Sequence, residues 1–276
     1  ERGFPVSDVR LMASARSAGS MVSTTWGDVE IEDLATADPS DIDIALFSAG
    51  GRRSIEHAPR FVRAGATVID NSSAFRMVDD VPLVVANVND VAIRSHNGIV
   101  ANPNCTTMTL LMAAGPLHKA AGLKTLIASS YQSVSGSGQT GIRQLESEIE
   151  FFNKDRQALV SGAWEEPEGD LYSRPIGYNV LPLAGSITEA GYTDEEWKLV
   201  NETRKLFSDE SLRFILQFRV KRGVDDETRT IDGLRVVLFF QFRADEVDPV
   251  RIFRVNVRRV EDAALDLVRR LHRRNL

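Results

Sequence analysis

The sequence predicts an α/β protein, with a parallel sheet covered by helices in the first hundred residues and an α+β part with a largely antiparallel sheet behind it. Three observations carry this. From residue 42, short β-branched apolar runs alternate with helical stretches, the pattern of strand–helix–strand crossovers. Polar, chemistry-bearing residues stand directly after three of those runs, where ligands of parallel sheets bind. The last seventy residues hold three runs mixing apolar and charged residues, as antiparallel strands with one wet face do.

Taken in order, "IDIALFS" (42–48) reads as a buried strand, "RSIEHAPRFVRAG" (53–65) as a helix stopped by Gly65, and "ATVID" (66–70) and "NGIVAN" (97–102) as further strands. The helix after Cys105 is expected to break or end near Gly115-Pro116, because proline removes a helical N–H. "LKTLIASSYQSV" (123–134) reads as a long strand, "SGSGQTG" (135–141) as a Gly/Ser loop and "IRQLESEIEFFNK" (142–154) as an amphipathic helix. Residues 161–190, rich in Gly, Pro and Ser, read as mostly loop. Thr193 with Glu196 three residues on forms a capping box that opens a helix over 194–206. "LRFILQFRV", "GLRVVLFFQFR" and "VRIFRVNV" read as antiparallel strands, and 260–274 as a final helix.

Composition narrows the function. The 276 residues are 43% hydrophobic, enough for two domains with cores of their own. Net charge is −6, split unevenly: residues 201–276 carry 17 basic against 13 acidic side chains, leaving 1–200 at −10. The basic residues are interleaved with acids and apolar positions, so they read as solvated faces and not as a nucleic-acid surface. One cysteine excludes an internal disulfide and fits a cytoplasmic setting; no apolar run approaches the ~18 residues of a membrane span. No cluster of metal ligands stands out.

Four stretches carry candidate chemistry. Cys105 in "ANPNCTT" lies between a strand and a helix; at a helix N-terminus, unpaired N–H groups favour a nucleophilic thiolate, with the Asn104 side chain and the Cys105 N–H as oxyanion donors. A lone cysteine is equally a small buried filler. Arg76, after "DNSSAF", suits phosphate or carboxylate, or else a surface pair with Asp79 or Asp80. "SSYQSVSGSGQTG" supports close backbone approach to a ligand, or an ordinary turn. "SARSAG" sets Arg16 among serines, as a 2′-phosphate site does.

Together "SARSAG", "FSAGG", "VIDNSSAFRM", "ANPNCTT", "YQSVSGSGQTGIRQLESE", "NVLP" and "GYTDEEWKLVNETRK" resemble the bacterial aspartate-semialdehyde dehydrogenase family, in family order over about residues 1–206. The resemblance implies a Rossmann-like dinucleotide-binding domain over 1–104, joined by the helix 259–276, and a catalytic and dimerisation domain over 105–258. It implies a homodimer that reduces L-aspartyl 4-phosphate to aspartate 4-semialdehyde with NADP, on the route to lysine, methionine and threonine. Cys105 would form a thioester and expel phosphate, and Gln132 would orient the acyl group. Arg76 and Lys198, with Asn104, would bind phosphate, Glu195 the substrate ammonium, and Arg219 its carboxylate. Ser14, Arg16 and Ser17 would hold the 2′-phosphate, with Ser48, Ala49, Gly50, Ser135, Gly136, Ser137 and Gly138 lining the rest of the cofactor site.

The chain departs from the family in three places. The resemblance places a first strand and glycine turn ahead of Glu1, and no G-x-G-x-x-G is present within residues 1–104, the part read as dinucleotide-binding. After Lys205 the likeness fades: Asp226 stands near where the family has its acid–base histidine, and none of His57, His96, His118 and His272 is placed to replace it. Asn87 stands where the family commonly has Glu. Two alternatives accompany the reading: N-acetyl-glutamyl-phosphate reductase, which shares the acyl-phosphate chemistry, and a catalytically silent, dimerising homologue.

Overall fold

The computed structural model describes residues 5–167, 169, 171–221, 235–242 and 251–255, with side chains described as far as residue 216. The chain divides into two compact units, one comprising residues up to Val84 with Asn89–Pro103, the other Val85–Val88 with the residues from Asn104 onward.

The first unit holds two three-stranded sheets. β1 (Leu11–Ala13) pairs in parallel with β3 (Gly27–Asp33), and β2 (Met21–Thr24) pairs antiparallel with β3. These strands precede residue 42, where the apolar alternation begins, and they carry almost no fully buried residue, so hydrophobic pattern does not reveal them. β4 (Ile44–Phe47), β5 (Thr67–Asp70) and β6 (Ile99–Ala101) form the expected parallel sheet in that order. α1 (Gly51–Arg63) crosses from β4 to β5 and lays Ala58 and Phe61 on it. Leu34, Ala45, Phe47, Phe61 and Val68 form the core, with Met12 packed against it. The rings of Phe47 and Phe61 meet edge to face at 5.2 Å, and each such buried side chain contributes roughly 1.5–3 kcal/mol. At the end of β5, buried Asp70 accepts hydroxyl bonds of 2.6 Å each from Ser54 and Ser72, which tie α1 and the next loop to the strand terminus.

In the second unit α2 (Cys105–Ala121) leads into β7 (Leu123–Ser133), then α3 (Gly138–Lys154), α4 (Arg156–Ser161), β8 (Val180–Leu181), α5 (Asp194–Phe207) and β9 (Arg213–Lys221). β10 (Arg235–Phe242) and β11 (Arg251–Val255) complete a sheet of order β11-β10-β7-β9-β8. Three corrections to the sequence reading follow. β9 runs parallel to β7 and pairs antiparallel only with the short β8, since the α5 crossover returns the chain in the same direction; β10 and β11 are antiparallel as expected. α2 continues through Gly115-Pro116, because its buried residues, among them Leu110, Leu111 and Leu117, gain more from packing than one lost helical bond costs. A Cβ on Gly115 would lie 2.9 Å from Val88, so glycine permits that close approach. The Gly/Ser loop is shorter than expected: Val134–Ser137 forms a 3₁₀ turn and α3 already begins at Gly138. The helix expected at 260–274 lies outside the described residues.

The capping box on α5 is formed. Glu196 N donates to Thr193 Oγ1 at 3.2 Å, and Thr193 N donates to the Glu196 carboxylate at 2.8 Å.

Candidate active site

At the mouth of α2 the chain passes from the end of β6 through Asn102-Pro103-Asn104 and turns into helix at Cys105. Asn104 is the N-cap, its Oδ1 accepting the Thr106 N–H at 2.9 Å. Cys105 is exposed at the first helical position, not packed as apolar filler. Its sulfur lies 3.8 Å from Asn104 Oδ1 in S–H donor geometry.

α5 supplies the surrounding charge. Glu195, Lys198 and Glu202 follow one another at i, i+3 and i+7, one face of a helix. Glu195 accepts from Asn104 Nδ2 at 3.0 Å through one oxygen and from Lys198 Nζ at 2.7 Å through the other. Lys198 also donates to Asp194 at 2.9 Å. Glu202, buried to 2% exposure, accepts the Asn104 backbone N–H at 2.7 Å. The sequence reading missed Glu202; its helical spacing from Glu195 and Lys198 is the signal that reveals it. Burial alone would lower the Lys198 ammonium, but its bonds to Glu195 and Asp194 outweigh that and hold it above its ordinary value. Burial would raise Asp194, and its bonds to Lys198 and the Ser186 N–H outweigh that and hold it below.

A cleft of about 160 Å³ opens beside this helix, lined by Gln132, Gly136, Ser137, Tyr172, Gly185 and Glu195 among others. Gln132, at the end of β7, points a buried Oε1 with no hydrogen-bond partner among the described residues, and its amide leaves no room for a Cβ on Gly136. Tyr172 Oη donates to Ser137 Oγ at 3.2 Å; burial pushes its phenol above the ordinary value. The segment 171–177, whose first three residues form this wall of the cleft, is fixed by α3. Gln144 Oε1 accepts the Leu171 N–H at 3.1 Å, and buried Glu148 accepts the N–H groups of Ile176 and Gly177 at 2.6 and 2.7 Å. This wall, too, was not foreseen. Ser135 lies in the 3₁₀ turn and Gly138 opens α3 at φ 71°. Arg219 lies in β9 with its Cα opposite Tyr131, one residue from the partner of Gln132; its side chain lies outside the described residues, as do Asp226 and His272.

In the first unit the predicted residues gather at strand C-termini. Ser14, Arg16 and Ser17 form the turn after β1, where Ser17 N donates to Ser14 O at 2.8 Å and the Arg16 side chain is exposed. Ser48, Ala49 and Gly50 follow β4, all exposed. Gly50 adopts φ 86° and caps α1 without any side-chain bond, so the N–H groups of that helix start remain open to an anion. Arg76 is buried to 8% exposure and is not a surface arginine; it donates to the carbonyls of Asn102 and Asn71 at 2.9 Å each, across the ends of β6 and β5.

Three histidines make local contacts. His118 stacks on Phe207 at 4.2 Å and accepts the Leu123 N–H, His96 accepts the Gly98 N–H, and His57 lies 3.8 Å from Glu56. Asn87 adopts φ 65°, a left-handed conformation that Asn tolerates better than Glu. Among the described residues no cluster of three His, Cys, Asp or Glu side chains is set to hold a metal, and no helix is long and apolar enough to cross a membrane.

Comparison with known proteins follows the same division. Residues 1–96 match the profile of the semialdehyde dehydrogenase NAD binding domain, and 114–220 that of the semialdehyde dehydrogenase dimerisation domain. An aspartate-semialdehyde dehydrogenase of Streptomyces akiyoshiensis is 49% identical over 218 residues, 77% of this chain and 63% of the relative. One from Mycolicibacterium smegmatis is 47% identical over 214 residues, 75% of this chain and 62% of the relative. Among solved structures, aspartate semialdehyde dehydrogenase II of Vibrio cholerae aligns with a TM-score of 0.75 at 34% identity, covering 88% of this chain and 68% of its own; that protein has also been solved complexed with ASA. The chain spans a little over 60% of the length of the curated relatives above.

Proposed function

The chain belongs to the semialdehyde dehydrogenase family, and from that premise we propose that it is an aspartate-semialdehyde dehydrogenase, converting L-aspartyl 4-phosphate to L-aspartate 4-semialdehyde and phosphate through a thioester on Cys105. One observation carries the reading: an exposed sulfur at the first position of α2, beside an Asn104–Glu195–Lys198 hydrogen-bond chain whose Glu195 also lines the cleft with Gln132.

In this reading the Cys105 thiolate attacks the acyl carbon, the C–O bond to phosphate breaks, and phosphate leaves to Lys198 and Arg76. Gln132 fits the task of orienting the acyl group, since its amide lines the cleft close against Gly136. Glu195 takes the substrate ammonium and Arg219 the carboxylate.

The donors at the ends of β1 and β4 fit a phosphate-bearing nucleotide: a guanidinium between two serines, and a helix start with no side-chain cap. Ser14, Arg16, Ser17, Ser48, Ala49 and Gly50, with Ser135, Gly136, Ser137 and Gly138, would hold the cofactor, whose reduced form, NADPH, would supply the hydride that takes the thioester to the aldehyde. The dimerisation-domain match supports a homodimer, and the activity places the protein in the biosynthesis of amino acids derived from aspartate.

The test is phosphate-dependent reduction of NADP with aspartate semialdehyde. Turnover that requires phosphate and is abolished by Cys105→Ser supports the proposal; a folded, dimeric and inert protein favours a silent homologue.

A further inference from the structure

The Asn104 carboxamide links the sulfur of α2 to the carboxylate of the cleft. Its oxygen accepts the Thr106 N–H and faces Cys105 Sγ at 3.8 Å, while its nitrogen donates to Glu195 at 3.0 Å. These partners decide which way round the amide sits. Turned over, its oxygen would face a carboxylate and its NH₂ would face an N–H, so two bonds would become two repulsions. In the orientation observed, the sulfur faces a carbonyl oxygen, which accepts from a thiol and repels a thiolate. The expected role of Asn104 as an oxyanion donor is therefore not available while Glu195 holds its nitrogen.

Among the described residues, the charges around the sulfur point the same way. α5 brings Asp194, Glu195, Lys198 and Glu202 to this side of α2, and the ionisable groups of β7 are Lys124 and Tyr131. Lys198 is already shared between Asp194 and Glu195, and Glu202 sits on the Asn104 N–H. Two carboxylates thus oppose the partial positive charge that a helix start offers a thiolate.

We infer that Glu195 is a positioning residue that, by holding the Asn104 amide nitrogen, keeps the amide oxygen on Cys105 and the sulfur in its thiol form. Releasing Asn104 lets the amide present N–H to the sulfur, at the cost of a cap bond of about 1 kcal/mol; the thiol proton passes to water, which the exposed sulfur reaches. The role deepens the proposed function, and rests on it only for what draws Glu195 away: a substrate ammonium would lift the restraint as it binds.

The chain has one cysteine, so alkylation by iodoacetamide reports on this sulfur alone and needs no turnover. Rates are measured on the full chain between about pH 6 and pH 9, spanning the range over which protein thiols commonly ionise. Glu195→Ala is expected to accelerate alkylation about tenfold at neutral pH and to move the profile by about one unit towards acid. Asn104→Ala/Glu195→Ala is expected to match Asn104→Ala, because the carboxylate acts through the amide. Glu195→Gln keeps an acceptor without the charge; it is expected to stay within about threefold of the unaltered chain, and it carries the test should Glu195→Ala not fold. Equal acceleration by Glu195→Ala with and without Asn104, a tenfold gain in Glu195→Gln, or no gain in Glu195→Ala would each overturn the inference. Loss of turnover with these rates as expected would count against the proposed function and leave the positioning role intact.

Discussion

The mouth of α2 and the strand ends of the first unit are built on opposite plans. Around Cys105 the polar groups named for the site, Gln132 Oε1 apart, are held by their neighbours: the Asn104 side chain by Glu195 and Thr106, its backbone N–H by Glu202, and Lys198 by two carboxylates. At the ends of β1 and β4 the named groups face outward, with Arg16, Ser48, Ala49 and Gly50 all exposed. Covalent chemistry requires reacting groups fixed to within a fraction of an ångström, and the protein supplies that order itself. In the proposed function a phosphate-bearing ligand would supply the charge that orders an arginine and a helix start, which accords with those groups being left open.

The contrast fixes how strongly each region responds to change. Cys105→Ser, which removes the proposed nucleophile from the ordered region, is expected to lower kcat by about 10⁴-fold or more in steady-state turnover. Arg16→Ala, in the open region, is expected to weaken NADPH binding roughly tenfold and NADH binding hardly at all, as titration of the cofactor fluorescence would register. A comparable loss for both cofactors would mean that Arg16 does not read the 2′-phosphate.

The smallest effect belongs to the Asp194–Lys198 pair. The folded-state value of Asp194 is depressed, so its contribution is present above the ordinary carboxylate value of about 4 and is lost as pH falls through the folded one. That of Lys198 is raised, so its contribution is present below about pH 10 and is lost as pH rises through the folded value. Both side chains are partly solvated, which limits the pair to about 0.2–1 kcal/mol. Asp194→Asn is therefore expected to lower thermal stability by that small amount between about pH 4 and pH 10 and to leave it unchanged at both extremes, as thermal melts across pH would show.

Much of the ordered region was legible in the sequence because its signals are local. A helix opening at Cys105 after a strand and a capping box at Thr193 are read from adjacent residues, and the β4–α1–β5 crossover from its apolar runs. What escaped depends on contacts distant in sequence. β1 to β3 bury too little to show a hydrophobic period. α2 continues through Gly115-Pro116 because of what surrounds it, and β9 lies parallel to β7 because of the α5 crossover. The segment that runs on from the cleft wall at 171–173 is held by Glu148 on α3, a buried carboxylate 28 residues before Ile176, and no spacing rule links the two. Asp226 and the helix expected at 260–274 belong to the residues that are not described.

Covalent capture at the sulfur is the most direct measurement. The full chain is incubated with aspartate semialdehyde and NADP without phosphate, quenched in acid, and read by intact mass and peptide mapping. An aspartyl adduct confined to the Cys105 peptide, and absent from Cys105→Ser, is the expected result. An unmodified Cys105 in a chain that still turns over, or an adduct on another residue, would contradict it.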